Sequence, residues 1–112
     1  MYRSRIVLLF LLNMIVMTSL AQSGGHYHGP RISEDEAKVT AREIVNDLIE
    51  DNKIDAGWQM IEPGSVSQRT FDGHLEWVVT FRNDAIEDET RRTLYIFLTL
   101  GGEYTGANYT GE

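Results

Sequence analysis

The spacing of the apolar residues changes once along this chain, close to Pro63, and this change restricts the fold more than any other feature. Before Pro63 the apolar residues recur every three or four positions, which is the spacing of one helix face. They are Ala37, Ala41, Ile44, Val45, Leu48 and Ile49. After Pro63 the spacing falls to two, as in a strand with one buried face. A helix followed by consecutive strands is typical of the α+β class.

The predicted helix has a clear start. Ser33 and Glu36 form a capping box, in which each side chain bonds the backbone N–H of the other residue. We expect the helix to cover residues 34–51, with Asn52 as a left-handed cap. A short second helical turn over residues 54–60 would place Trp58 against the core. Met60 is interpreted as core filler in the same region.

Three further strands accompany the first alternating segment. The alternating segment covers residues 74–82, and one of its faces carries Leu75, Trp77, Val79 and Phe81. Asp72-Gly73 before it favours a type I′ hairpin with a strand over 66–71. A two-residue loop sets Phe71 opposite His74 and Arg69 opposite Glu76. Strands over 92–100 and 103–109 follow, with Leu94, Ile96, Leu98 and Leu100 on one face.

The predicted architecture is therefore one long N-terminal helix, with the short second turn as an option, packed on one face of a four-stranded antiparallel meander sheet. Six residues are expected to share a single core. They are Ile44, Leu48, Trp77, Val79, Ile96 and Leu98.

The first 21 residues have the order of a secretory signal peptide. Arg3 and Arg5 precede the apolar run 6–17, and the small residues Ser19 and Ala21 follow. The run is shorter than the ~20 apolar residues that a membrane-spanning helix needs. We expect a signal peptide over 1–21, a flexible His- and Gly-rich tail over 22–31 and a single domain over 32–112. The mature protein is then periplasmic or secreted, without stable membrane association after cleavage.

The charge of the mature chain narrows the range of partners. The whole chain has 17 acidic and 10 basic residues, and removing Arg3 and Arg5 leaves eight basic residues and a net charge of −9. Nucleic acid is excluded as a partner, because such binding depends on Lys and Arg contacts to phosphate. The chain has no cysteine, so its stability depends on its core rather than on disulfides.

Several segments carry a resemblance to known proteins. They are ISEDEA at 32–37, KIDAGW at 53–58, EWVVTF at 76–81, RTLYIFL at 92–98 and GEY at 102–104. The chain resembles a family of short exported bacterial proteins of unknown function that carry a His- and Gly-rich tail, here GHYHG at 25–29. The order of helix and meander is also similar to PepSY-like domains, whose relatives are linked to peptidase inhibition and periplasmic regulation. Neither resemblance supplies a catalytic residue.

The tail holds the candidate metal ligands, His26 and His28. Two imidazoles in a flexible segment can contact one copper, nickel or zinc ion, although a closed site needs more ligands. Cleavage after Ser23 rather than Ala21 would create an N-terminal Gly-Gly-His chelate for copper(II) or nickel(II). The alternative is a tail whose histidines bind nothing, and no other cofactor is expected.

Other polar residues are weaker candidates for a metal site or a catalytic site. The acidic loop residues Asp84, Glu87, Asp88 and Glu89 lack the ligand spacing and the central Gly of a calcium loop, so a solvated connection is the favoured interpretation. His74 is interpreted as an exposed strand-end residue. Catalysis needs a nucleophile, a base and an orienting group in one cleft, and the sequence suggests no such set. We therefore do not expect an enzyme.

The preferred function is a non-enzymatic protein-interaction or regulatory module with an unknown periplasmic protein as partner. Alternation along the strands directs Phe71, Val78, Tyr95 and Phe97 away from the helix, where they are the predicted partner-binding residues. The alternative is a periplasmic metal-handling protein that uses the His tail. Deletion of residues 22–30 discriminates between the two, because only metal handling needs the tail.

Overall fold

The computed structural model describes residues 30–112, and its architecture is the predicted α+β meander. Helix α1 covers Glu34–Glu50 and a short 3₁₀ helix covers Ala56–Trp58. The strands are β1 at Pro63–Phe71, β2 at His74–Arg82, β3 at Thr93–Thr99 and β4 at Tyr104–Asn108, with a second 3₁₀ helix at Glu89–Arg91 before β3. The sheet order is β1-β2-β3-β4, and every pair is antiparallel. None of the helices within residues 30–112 is long and apolar enough to cross a membrane.

The helix begins and ends where its capping residues predict. The Ser33 hydroxyl accepts from the Glu36 N–H at 3.1 Å, and the Glu36 carboxylate accepts from the Ser33 N–H at 2.9 Å. Asn52 has a φ of 59°, which confirms the left-handed cap. The backbone N–H of Ile32 donates to Leu100 O at 2.9 Å and so joins the start of the helix to the end of β3.

The hairpin between β1 and β2 has the predicted turn and register. Asp72 and Gly73 both have positive φ, 51° and 82°, as a type I′ turn requires. Phe71 pairs with His74 and Arg69 with Glu76. The pairing of β1 with β2 is regular from Val66 onward, and one register shift lies between Pro63 and Val66.

One core lies between α1 and the sheet. Trp77, Val79, Ile96 and Leu98 are buried in it, while Ile44 and Leu48 pack against it half-buried, so the predicted shared core is confirmed. Trp58 is also buried, which confirms the role of the short second turn. The guanidinium of Arg42 holds this turn to the helix by donating to the carbonyl oxygens of Trp58 and Ile61.

The interpretation of Met60 as core filler is wrong, because its side chain is 84% exposed. The 3₁₀ turn explains this, since side chains three residues apart lie above one another in such a turn. Trp58 and Ile61 are three apart and both reach the core. Met60 lies between them and points to solvent.

Candidate functional site

The four predicted partner-binding residues lie together on the face of the sheet turned away from α1, which we call the outer face. It carries Phe71 from β1, Val78 from β2, and Tyr95 and Phe97 from β3. Val78 pairs directly with Phe97, and Tyr95 comes two residues before Phe97 in β3. The residues that alternate with them in β2 and β3 belong to the core beneath the helix.

Two of the four residues are buried on this face. Val78 is 1% exposed and Phe97 is 7% exposed, although neither belongs to the core under α1. The rings of Phe71 and Phe97 meet edge to face, with centroids 5.3 Å apart and an angle of 86° between the planes. This arrangement is favourable for aromatic pairs. The outer face therefore has a small apolar cluster, of which Phe71 and Tyr95 are the half-buried members.

Polar and charged groups surround this cluster. The Arg69 guanidinium lies over the Phe71 ring at 5.7 Å from its centroid. The Thr105 hydroxyl donates to the Glu76 carboxylate at 3.1 Å. A cavity of about 290 Å³ opens between Glu76, Thr105 and the two phenylalanine rings, and Glu112 contributes to its wall. Aromatic rings beside an arginine are a combination that is enriched in protein-binding sites.

A larger cleft that the sequence did not indicate lies between residues 52–61 and the loop 83–91. Its volume is about 1180 Å³, and its walls carry both apolar and charged side chains. Ile54, Trp58, Ile86 and Tyr109 supply apolar parts of the lining. The Arg91 guanidinium lies 5.5 Å from the centroid of the Tyr109 ring. No local pattern marks this cleft, because its residues come from distant parts of the chain.

Asn83 fixes the two walls of the cleft relative to each other. Its Nδ2 donates to Gly57 O at 3.2 Å, and its Oδ1 accepts from the Ala85 N–H at 3.0 Å. Asn83 is 6% exposed. A buried amide needs such partners, because an unpaired polar group in the interior costs free energy. The cleft is thus preformed by internal hydrogen bonds.

The acidic loop is organised by bonds within the protein. Asp84 accepts from Arg82 Nε at 2.7 Å, and Arg92 Nε donates to Ile86 O at 2.6 Å. The hydroxyl and then the backbone N–H of Thr90 hold the pKa of the Asp88 carboxyl below its usual range, because both stabilise the charged form. Within residues 30–112, no group of three or more His, Cys, Asp or Glu side chains is placed to hold a metal ion.

Of the three histidines considered as site residues, the structure describes only His74. His26 and His28 lie outside the described residues, as do the expected signal peptide and the tail before Pro30. His74 is exposed beside the Asp72-Gly73 turn, as predicted for a strand-end residue.

The family to which the chain belongs follows from comparison with known proteins. A family model described as "Family of unknown function (DUF6488)" matches residues 1–112. We found no match among curated proteins or among solved structures. The match covers the whole chain, so this protein belongs to the DUF6488 family.

Proposed function

We propose that this protein is an exported, non-enzymatic protein-interaction or regulatory module, and that its partner is a periplasmic protein that binds the outer face. Support for export comes from the leader-like first 21 residues. The observation that carries the proposed binding role is the apolar cluster of Phe71, Val78, Tyr95 and Phe97 on the face opposite the helix. The exposed face of an antiparallel sheet is normally polar, so aromatic residues there favour a binding role.

The burial of the four residues determines which of them the partner would contact. Val78 and Phe97 are inaccessible and act as the base of the surface. Phe71 and Tyr95 are half-buried, so part of each side chain is exposed for direct contact. Aromatic residues and arginine dominate the binding energy of many interfaces, so Arg69 beside Phe71 belongs to the same proposed surface.

The experiment compares two tyrosines. Tyr95→Ser removes an outer-face ring, whereas Tyr104→Ser removes a ring that is 48% exposed and pairs with the core residue Leu98. Each variant is used to isolate partners from a periplasmic extract, after its thermal stability has been compared with that of the parent. A protein that the parent and Tyr104→Ser retain, and that Tyr95→Ser loses, supports the proposal. Equal retention by all three proteins contradicts it.

A second candidate function is metal handling by the tail. Its support is the sequence Gly24-Gly25-His26 followed by His28. If the mature chain begins at Gly24, its amine, two backbone nitrogens and the His26 imidazole form a square-planar site for copper(II) or nickel(II). The intact mass of the exported protein shows where processing occurs, and a copper(II) titration followed by visible absorption tests binding. Retention of stoichiometric copper after deletion of residues 22–30 contradicts this function.

A further inference from the structure

The segment after β4 returns to the outer face and lies on Tyr95. Gly111 is buried there and has a φ of 81°. A Cβ atom at this position would be 2.8 Å from Cε2 and 3.0 Å from Cζ of the Tyr95 ring. Such distances are too short for any side chain, so the backbone itself is in contact with the ring. We call residues 110–112 the cover segment.

One side chain supplies the main polar contacts of the cover segment. Asn108 Oδ1 accepts from the Gly111 N–H at 2.7 Å and from the Thr110 N–H at 3.2 Å. The Glu112 N–H donates to the Thr110 hydroxyl at 3.3 Å. The strand β4 ends at Asn108, so these bonds lie outside the sheet ladder. Breaking them would leave the paired strands and the core under α1 intact.

We propose that the cover segment is a displaceable occupant of the partner-binding surface, and that the partner replaces it with an extended, glycine-containing peptide segment of its own. The proposal rests on the proposed function, because it concerns the same outer face. The Tyr95 ring accepts a backbone without a side chain, and Asn108 Oδ1 accepts its N–H groups.

Amide hydrogen exchange on the full chain tests whether the cover segment opens by itself. Segments held by few bonds exchange through local opening, whereas central strands exchange through global unfolding. We expect the Gly111 amide to exchange at least ~100-fold faster than core amides of β3, with little dependence on denaturant. Exchange of Gly111 at the rate of the core, with the same denaturant dependence, overturns the proposal.

A pair of glycine variants tests what the segment covers. Gly111→Ala should lift the segment from Tyr95, because its Cβ meets the ring. Gly73→Ala is the matched control, since Gly73 has nearly the same φ of 82° but no atom within 4 Å of its Cβ.

The probe is N-phenyl-1-naphthylamine, a neutral dye that fluoresces on apolar surfaces. We expect several-fold higher fluorescence with Gly111→Ala than with the parent or Gly73→Ala, at a retained β-sheet circular dichroism signal. Unchanged fluorescence, or loss of the sheet signal, overturns the proposal.

The replacing peptide is tested on the Gly111→Ala protein. Addition of the synthetic peptide Ala-Asn-Tyr-Thr-Gly-Glu, which copies residues 107–112, should reverse the dye fluorescence. The same peptide with Ala in place of Gly should not. Equal effects of the two peptides, or none, overturn the assignment of the partner segment. These measurements need no natural partner, so a failure of the proposed function in the Tyr95→Ser experiment is recognised separately.

Discussion

Asn83 joins two segments that are 26 residues apart, and its contribution to stability can be measured directly. Asn83→Ala leaves Gly57 O and the Ala85 N–H without their side-chain partner. We expect this to lower the free energy of unfolding by ~1 to 3 kcal/mol, the usual cost of an unpaired buried polar group. Chemical denaturation measures the change. Gln59→Ala, at an exposed position near Gly57, is the control and should stay within ~0.5 kcal/mol of the parent.

Asp88 should give the acidic loop a pH dependence of known sign. Its pKa is lowered by the Thr90 hydroxyl, then by the Thr90 N–H, with smaller contributions from Arg91 and Arg92. A lowered pKa in the folded state stabilises the fold above the unfolded value, and this stabilisation is lost as the pH falls through the folded value. Asp88→Asn should therefore be less stable than the parent at neutral pH. The difference should shrink as the pH falls below 3.8, the ordinary value.

Denaturation curves at a series of pH values test this expectation. Asn retains an oxygen that can accept the Thr90 bonds, so the variant removes mainly the charge. A stability difference that grows on acidification would contradict the assigned direction of the pKa shift.

At the scale of the secondary elements, α1 approaches the sheet closely through small residues. Ala37 and Ala41 are completely buried at this contact. Ala41→Leu should force the helix away from β2 and β3 and cost ~1 to 3 kcal/mol, as overpacking of a dense core does. Val39→Leu adds a methylene on the exposed side of the same helix and should be nearly neutral. Equal effects in thermal denaturation would show that the contact is looser than the structure indicates.

The sequence predicted the elements because local rules determine them. The Ser33–Glu36 box, Asn52 and Asp72-Gly73 each act within a few residues, and each was confirmed. Alternation in β2 and β3 then assigned the core face and the outer face. The strand ends differ from the prediction by up to three residues, since alternation does not show where pairing stops.

Two kinds of feature could not be predicted from the sequence. One is the side of a single turn that faces the core, and the other is contact between residues far apart in the chain. The sequence wrongly assigns Met60 to the core, because hydrophobicity alone does not show which side of a 3₁₀ turn faces inward. The cleft was missed because Asn83 reaches Gly57 only in the folded chain. The sequence does not indicate the cover segment for the same reason, although a glycine such as Gly111 is a residue that permits a tight return.

For the whole molecule, charge repulsion is a source of instability. Residues 30–112 carry eight basic and 17 acidic side chains, a net charge of −9. Within this range, two ion pairs approach within 4 Å, and both are exposed. Salt screens such repulsion, so raising the sodium chloride concentration from ~0.02 to ~0.5 M should increase the melting temperature. Each kcal/mol of repulsion that the salt relieves should raise the melting temperature by roughly 4 to 8 °C. A melting temperature that falls with salt would indicate that attractive pairs dominate.

The meander order has a consequence for the rate at which the protein folds. Each strand pairs with the next strand in the chain, so the sheet closes only short loops. The bond from Ile32 to Leu100, in contrast, joins nearly the two ends of the described chain. Low sequence separation favours early formation, so the sheet should form in the folding transition state and the helix should dock afterwards.

Val79→Ala in β2 and Val45→Ala in α1 compare these two events, since both side chains are completely buried. Stopped-flow measurements should show slower refolding for Val79→Ala. For Val45→Ala they should show mainly faster unfolding, as expected of a residue whose contacts form late. Slower refolding of both variants to the same extent would mean that helix and sheet form together. With late docking, the helix can leave and rejoin an assembled sheet, and the lifetime of the native state is then set by how firmly α1 is held.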